Sequence, residues 1–447
     1  MGCAGLPSLE GRPSSSALTD TQDTRLGRGV APKVAAHPGK SGIYALPDPY
    51  NAYAARLVLA AAAEKSLDVQ YYIWNGDETG YLLLGALWQA ADRGVRVRLL
   101  LDDNGVAGLD EVLATVDAHP NIEVRLYNPF TIRSFRVLNY ATDFSRLNHR
   151  MHNKSMTADN QAAIFGGRNI GNEYFAAGSG VWFRDLDALA VGPVVQEVSK
   201  AFDRYWNSDS AYPVAGLLPA PKPGAKDALL AKFKEVHAEP LSQTYIETLR
   251  KTELAREIEA GHVPFEWSSA ELVVDDPAKT LDRSGRKDVL LLSQLFAAAG
   301  HTEHSFDLVS PYFVPGEEGT NEFVTAAARG LRIRVLTNSL EATDVGAVHA
   351  GYAKRRKDLL RAGVVLYELR PVESDDEKKR RVLGGSSGAS LHAKTFALDG
   401  KRLFIGSFNF DQRSAELNTE LGVLIDNRDL AQRLVEVFQN NVRTVAY

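Results

Sequence analysis

Two short runs carry the residues best suited to chemistry: His152-Asn153-Lys154 and His392-Ala393-Lys394. In each copy an aspartate stands five residues after the lysine (Asp159, Asp399), and a Gly-[Gly/Ser]-x-Asn run opens twelve after it (Gly166 to Asn169, Gly406 to Asn409). Residues two apart on a strand share a face, so each histidine projects beside its lysine. Two imidazoles and two ammonium groups meeting at one point suit a phosphodiester. Lysine neutralises the charge that builds on phosphoryl oxygens, and histidine works near neutral pH as nucleophile or as general acid. One ring attacks phosphorus and the other protonates the leaving oxygen; the second then activates water or an alcohol to collect the phosphoryl group. With the lysines in that role, no metal or other cofactor is called for.

Further residues fall around this pair of motifs. Asn169, Asn409 and Ser407 are candidate donors to the phosphate oxygens. Each histidine should have a carboxylate to orient it; Asp187 and Glu420, in the strand-like runs after each motif, are the candidates. Asp159-Asn160 and Asp399-Gly400 are two-residue hairpin signals, so these aspartates read as structural.

The elements that must position the motifs recur as well. In the first half a helical pattern at 52–65 precedes an apolar strand at 66–74, a helix at 81–93, a strand at 95–101, a helix at 109–118 and a strand at 122–127. Ser305 to Tyr312, Ala326 to Leu336 and Val364 to Tyr367 repeat the strands and the Arg-Gly turn of the first half in the same order, before the second motif. Strands alternating with amphipathic helices predict an α/β fold. The duplication predicts two similar lobes, with mixed, largely parallel sheets flanked by helices, that form one pseudo-two-fold active site. The expected divisions are an N-terminal tail at 1–40, a first lobe at 41–213, a linker and helical insertion at 214–285, and a second lobe at 286–447.

Composition narrows the partners. The chain has 447 residues, 45% hydrophobic, with a formal net charge of -5. A nucleic-acid-binding chain normally carries a basic footprint, so no stable nucleic-acid partner is expected. No run approaches the length of a membrane-spanning helix. Cys3 is the one cysteine, which excludes an intramolecular disulfide and a cysteine-built zinc site. Segment 130–140 mixes aromatics with arginines and reads either as an interfacial anchor or lid, or as a packed loop. Segment 373–389 is polar and Gly/Ser-rich and reads as a mobile loop before the second motif.

The doubled His-x-Lys-x-x-x-x-Asp signature resembles that of the phospholipase D superfamily, over roughly residues 41–447. That family usually has serine where Gly167 stands, so the first half lacks one hydroxyl donor. The resemblance implies His152 as nucleophile, through a phosphohistidine, and His392 as acid. Leu67 to Trp74, Leu99 to Asn104 and Gly166 to Phe175 resemble bacterial cardiolipin synthases, especially the C-type branch. That branch implies transfer of a phosphatidyl group between phospholipids at a membrane surface of the bacterial envelope. A phospholipase D that hydrolyses phospholipids is the alternative, followed by a nuclease using the same motifs and by a binding-only descendant of the fold. The run Gly2 to Leu6 resembles the end of a lipoprotein signal, which implies a lipid anchor on Cys3; the alternative is a plain tail. The sequence leaves open whether an accessory protein takes part.

Overall fold

The computed structural model describes residues 5–177, 182–259, 262–281, 290–299, 302–343, 345–371 and 389–447. Cys3 lies outside them, as does segment 373–389 apart from its last residue, so the anchor and the mobile loop are not described.

Each half builds the same unit. Strands Ser66–Ile73, Arg96–Gly105 and Ile122–Tyr127 pair in parallel, joined by helices Glu78–Asp92 and Asp110–Asp117. Strands Ser305–Val309, Arg332–Asn338 and Val365–Leu369 do the same, joined by helices Gly316–Ala328 and Gly346–Arg361. The first of these helices starts where Asp77 accepts a hydrogen bond from the N–H of Gly80, an N-cap that satisfies an otherwise orphaned donor.

Hairpins follow at both motifs: Ser155–Ala158 with Ala162–Gly166, and Thr395–Leu398 with Arg402–Gly406. Their turns hold Asp159 and Asn160 at φ 50° and 50°, and Asp399 and Gly400 at φ 53° and 59°. Two successive positive φ values are what a type I′ turn requires. The Asp159 carboxylate accepts from the backbone N–H groups of Glu64, Lys65 and Ser66; that of Asp399 accepts from Glu303, His304 and Ser305. Each aspartate thereby ties its hairpin to the entry of the neighbouring parallel strand.

One sheet of fifteen strands runs through the described residues. The fold is mixed α/β with two repeats; within this sheet the parallel pairs lie among the outer strands of each half, and the central pairs are antiparallel, some as hairpins and others between strands distant in sequence. Strand Ser41–Leu46 pairs antiparallel with Glu266–Val274, and from this junction the strand order runs outward alike in both directions. A pseudo-dyad therefore passes between these two strands. A shared core joins the halves, with Ile43, Phe165 and Ala190 from one packed in the same cluster as Ile405, Val423 and Ile425 from the other.

Two segments differ from expectation. Segment 214–285 supplies helices Ala225–Ala238, Pro240–Arg250 and Glu253–Glu259, but also the central strand Glu266–Val274. Segment 1–40 is not an irregular tail throughout: it contains helix Arg25–Ala35, and Arg12 donates to the carbonyls of Asn207, Ser208 and Ala211. Leu26 and Val30 also pack against the core of the first half and His37 stacks on Trp267, so the segment is docked although its composition reads as a tail.

Candidate active site

The strands that open at Ser155 and Thr395 are preceded by the two His-Lys runs. Each run docks on the other half. The His152 N–H donates to the Thr419 carbonyl (2.8 Å) and the Thr419 N–H to the Arg150 carbonyl (2.9 Å). In the mirror relation the His392 N–H donates to the Arg184 carbonyl (2.8 Å), and Leu391 pairs in register with Arg184. Within its own half, each run is anchored one residue earlier. Asp102 accepts from the Met151 N–H (2.8 Å), and Asn338 accepts from the Leu391 N–H (3.0 Å). Asp102 and Asn338 sit at matching places near the ends of the two equivalent strands.

The imidazoles are oriented by carboxylates that cross the dyad. His152 Nδ1 lies 2.8 Å from Glu420 Oε2, and His392 Nδ1 lies 2.5 Å from Asp185 Oδ2. A carboxylate only accepts, so Nδ1 carries the proton and Nε2 keeps its lone pair. Both histidines are buried, as are Lys154 and Lys394. Each lysine Nζ donates to the carbonyl of its own histidine, and Lys394 Nζ also lies 3.2 Å from His392 Nε2. The Tyr72 ring stands edge-on to His152, and Phe183 and Tyr174 enclose His392.

Electrostatics follow from this enclosure. Burial, with the nearby lysines, pushes both histidines down to about 4 against the opposing pull of their carboxylates. Burial likewise pushes the Lys154 ammonium down, with Lys394 acting the same way from the other half. Burial works to raise Asp185 and Glu420, but the adjacent histidine and lysine outweigh it, so both carboxyls are held below the usual range. Each histidine feels the lysines of both halves, so the two motifs share one electrostatic site.

Asp187 is a correction. It does not orient a histidine; it pairs with Arg56 (2.9 Å) and Arg168 (3.4 Å) in the core of the first half. Strand register gives the reason. Gly166 faces Asp187 and Gly406 faces Gly422, so Asp185 is the counterpart of Glu420, each two residues before the position so faced. Aligning Asp185-Leu186 with Glu420-Leu421 across the repeat is the signal that finds it.

Ser407 is a second correction. Its hydroxyl donates to Glu420 Oε2 (2.5 Å), so that hydrogen is not directed at a phosphate. Asn169 holds Ile73 N–H with its oxygen and the Tyr174 hydroxyl with its amide. Asn409 differs: its Oδ1 is buried without a partner among the described residues. The Gly167 position is also explained. A Cβ there would stand 2.1 Å from Asp185 Oδ1, so the shorter carboxylate occupies the space that Ser407 fills in the other half. Gly167→Ser is expected to dislodge Asp185 from His392 and to lower turnover at least about tenfold, the cost of roughly 1.4 kcal/mol in orientation. Turnover at the wild-type rate in that variant would refute the close approach.

Among the described residues no group of three or more His, Cys, Asp or Glu side chains is arranged to hold a metal ion. None of the described helices is long and apolar enough to cross a membrane.

A duplicated α/β frame that brings two His-Lys pairs into one buried site defines the class of phospholipase D-like phosphodiester transferases. The chain matches the family "Cardiolipin synthase, PLD-like domain" twice, over residues 58–206 and 295–442. It is 47% identical over 415 residues to cardiolipin synthase C of Escherichia coli (strain K12), covering 93% of this chain and 87% of that protein. It is 24% identical over 384 residues to the major cardiolipin synthase of Bacillus subtilis (strain 168), covering 85% of this chain and 64% of that one. In fold it is similar to the phosphatidylserine synthase of Haemophilus influenzae Rd KW20, with a TM-score of 0.59 and 14% identity over 95% of this chain and 92% of that one. The chain belongs to the phospholipase D-like cardiolipin synthase family.

Proposed function

We propose that this chain transfers a phosphatidyl group from one phospholipid to the headgroup hydroxyl of another, phosphatidylglycerol serving as donor and acceptor, at a membrane surface. The observation that carries this reading is the crossed pair of dyads, His152–Glu420 and His392–Asp185, within one lysine-lined site. The Nε2 lone pair of His152 attacks phosphorus, and the bond from phosphorus to the headgroup oxygen breaks. His392, protonated, gives its Nε2 proton to that oxygen. Lys154 and Lys394 neutralise the equatorial oxygens. The incoming hydroxyl then loses its proton to His392 as its oxygen attacks phosphorus, and the phosphorus–nitrogen bond to His152 breaks. Water in place of the hydroxyl gives phosphatidic acid instead. The family match and the identity to the Escherichia coli protein support lipid over nucleic acid.

The test is product identification by mass spectrometry, with phosphatidylglycerol vesicles and with plasmid DNA, both in chelator. Cardiolipin is the expected product. Nicked DNA beside intact lipid would overturn the reading.

A pH dependence follows. In the free enzyme both histidines are pushed down to about 4, so the nucleophile stays neutral well below its ordinary 6.5. On the acid side kcat/KM, which reports the free enzyme, is therefore expected to persist down to about pH 4. A bound phosphate adds negative charge beside two ammonium groups and raises both imidazoles. The alkaline limb, which reports loss of the proton from the acid histidine, is then higher in kcat than in kcat/KM, by about one pH unit or more. Coincident alkaline limbs would contradict this account.

A further inference from the structure

We infer that helix Val137–Leu147 and the loop that leads into it, together with Leu340 and Val345 beyond strand Arg332–Asn338, form a docking face that seats the active-site mouth on a phospholipid bilayer. This rests on the reading of the chain as a lipid-acting enzyme and names the surface that reading requires.

The helix is inverted. Its wholly buried side chains are Asn139 and Leu147, while Val137, Leu138 and Phe144 face outward beside Phe135. Phe135 is 59% exposed and Phe144 60%, which is costly for side chains of this size in water. The buried Asn139 amide holds the loop from inside, accepting from the N–H groups of Thr131 and Ile132 and donating to the Ile132 carbonyl. Arg133 and Arg136 clamp its base to Asp103 and Asp110. The outward apolar residues are therefore held in place by polar bonds beneath them, the reverse of an ordinary surface helix.

The element is continuous with the site. The Tyr140 hydroxyl donates to Asn104 Oδ1, Asn104 Nδ2 donates to the Tyr72 hydroxyl, and the Tyr72 ring stands against His152. The pseudo-dyad gives an independent argument. Asp102 and Asn338 anchor their motifs in the same way, and two residues beyond them the chain reaches Asn104 in one half and Leu340 in the other. Leu340 is 59% exposed, with Val345 exposed soon after it. The dyad relates Leu340 to Asn104, the residue that holds Tyr140 of the helix, so exposed apolar side chains stand beside equivalent strand ends in both halves. Charge fits as well: Arg413, exposed on the same side, is held to helix Val137–Leu147 by the neutral oxygens of Asn148, which leaves a cation for anionic headgroups.

The test compares the full-length chain with the combined variant Phe135→Ser, Leu138→Ser, Phe144→Ser and Leu340→Ser. Three measurements are made: flotation with phosphatidylglycerol vesicles, turnover of those vesicles, and turnover of water-soluble short-chain phosphatidylglycerol. Because these side chains are exposed, the variant is expected to fold and to turn over the short-chain lipid at the wild-type rate. Flotation and vesicle turnover are expected to fall at least about tenfold. Wild-type flotation and vesicle turnover in the variant would overturn the proposal. So would a self-associated wild type that the variant dissociates, by sedimentation, with vesicle turnover unchanged; the face would then seat a second copy. A variant that loses short-chain turnover equally would also overturn it, since the loss would lie in the site. A wild type inactive on both lipids would sink the proposed function instead, while flotation would still decide the docking face.

Discussion

Alanine at His152 or at His392 is expected to lower phosphodiester transfer by a factor on the order of 10⁴ or more, with the fold intact. Both rings are buried at the junction of the halves, and in the proposed mechanism each serves a different bond: one forms it to phosphorus, the other supplies the proton that lets it break. A substrate with a good leaving group separates the two. A nitrophenyl phosphodiester departs without a proton, so His392→Ala should still show a burst of nitrophenolate as the phosphohistidine accumulates, followed by slow turnover. His152→Ala should show neither burst nor turnover. A burst in His152→Ala and none in His392→Ala would exchange the roles. Full turnover in either variant would sink the shared site.

Asparagine at Asp185 and at Asp187 should have opposite consequences, although the two positions are separated by one residue. Asp185→Asn keeps the shape but presents a neutral amide to His392 Nδ1, where a carboxylate now lies 2.5 Å away. Tautomer and charge are both disturbed, and turnover is expected to fall about 10³-fold or more with little change in melting temperature. Glu420→Gln should do the same through His152. Asp187→Asn touches no reacting group. It leaves the buried guanidinium groups of Arg56 and Arg168 without their shared carboxylate, a loss of about 4 kcal/mol. Residual activity per folded molecule should stay near wild type, and the melting temperature should drop by several degrees. Thermal melts beside vesicle assays decide it: a stable, inactive Asp187→Asn with an active Asp185→Asn would reverse the assignment.

The dyads explain why a site of four basic side chains is tolerated in the core. Each imidazole has one acceptor, each lysine has a carbonyl, and two carboxylates balance the charge from the opposite half. Neither half has this balance alone, since the carboxylate for each histidine belongs to the other copy. The halves are therefore coupled by the catalytic groups themselves as well as by the core that joins Phe165 to Ile405.

Much of this was legible in the chain. The equal spacing of the two His-Lys runs, the Asp-Asn and Asp-Gly turns and the repeated strand–helix order depend on neighbours within a few residues, and those local rules carry over directly into hairpins and crossovers. The strand Glu266–Val274 was not legible, because its pairing with Ser41–Leu46 and Leu421–Asp426 is long-range and its burial pattern is irregular. Nor was Asp185. An Asp-Leu-Asp run offers two carboxylates of equal chemistry, and a shift of two residues separates the carboxylate that meets Arg56 from the one that meets His392.

By itself, then, the sequence determined the two His-Lys pairs, their spacing along each strand and the duplicated frame, since short-range sterics and hydrogen bonding settle those. Tertiary structure alone decided which carboxylate lies beside which histidine, that the pairs cross the dyad, and that the helix Val137–Leu147 turns apolar residues outward. Those depend on how the two halves join edge to edge in one sheet and on partners more than two hundred residues apart, where no local propensity reaches.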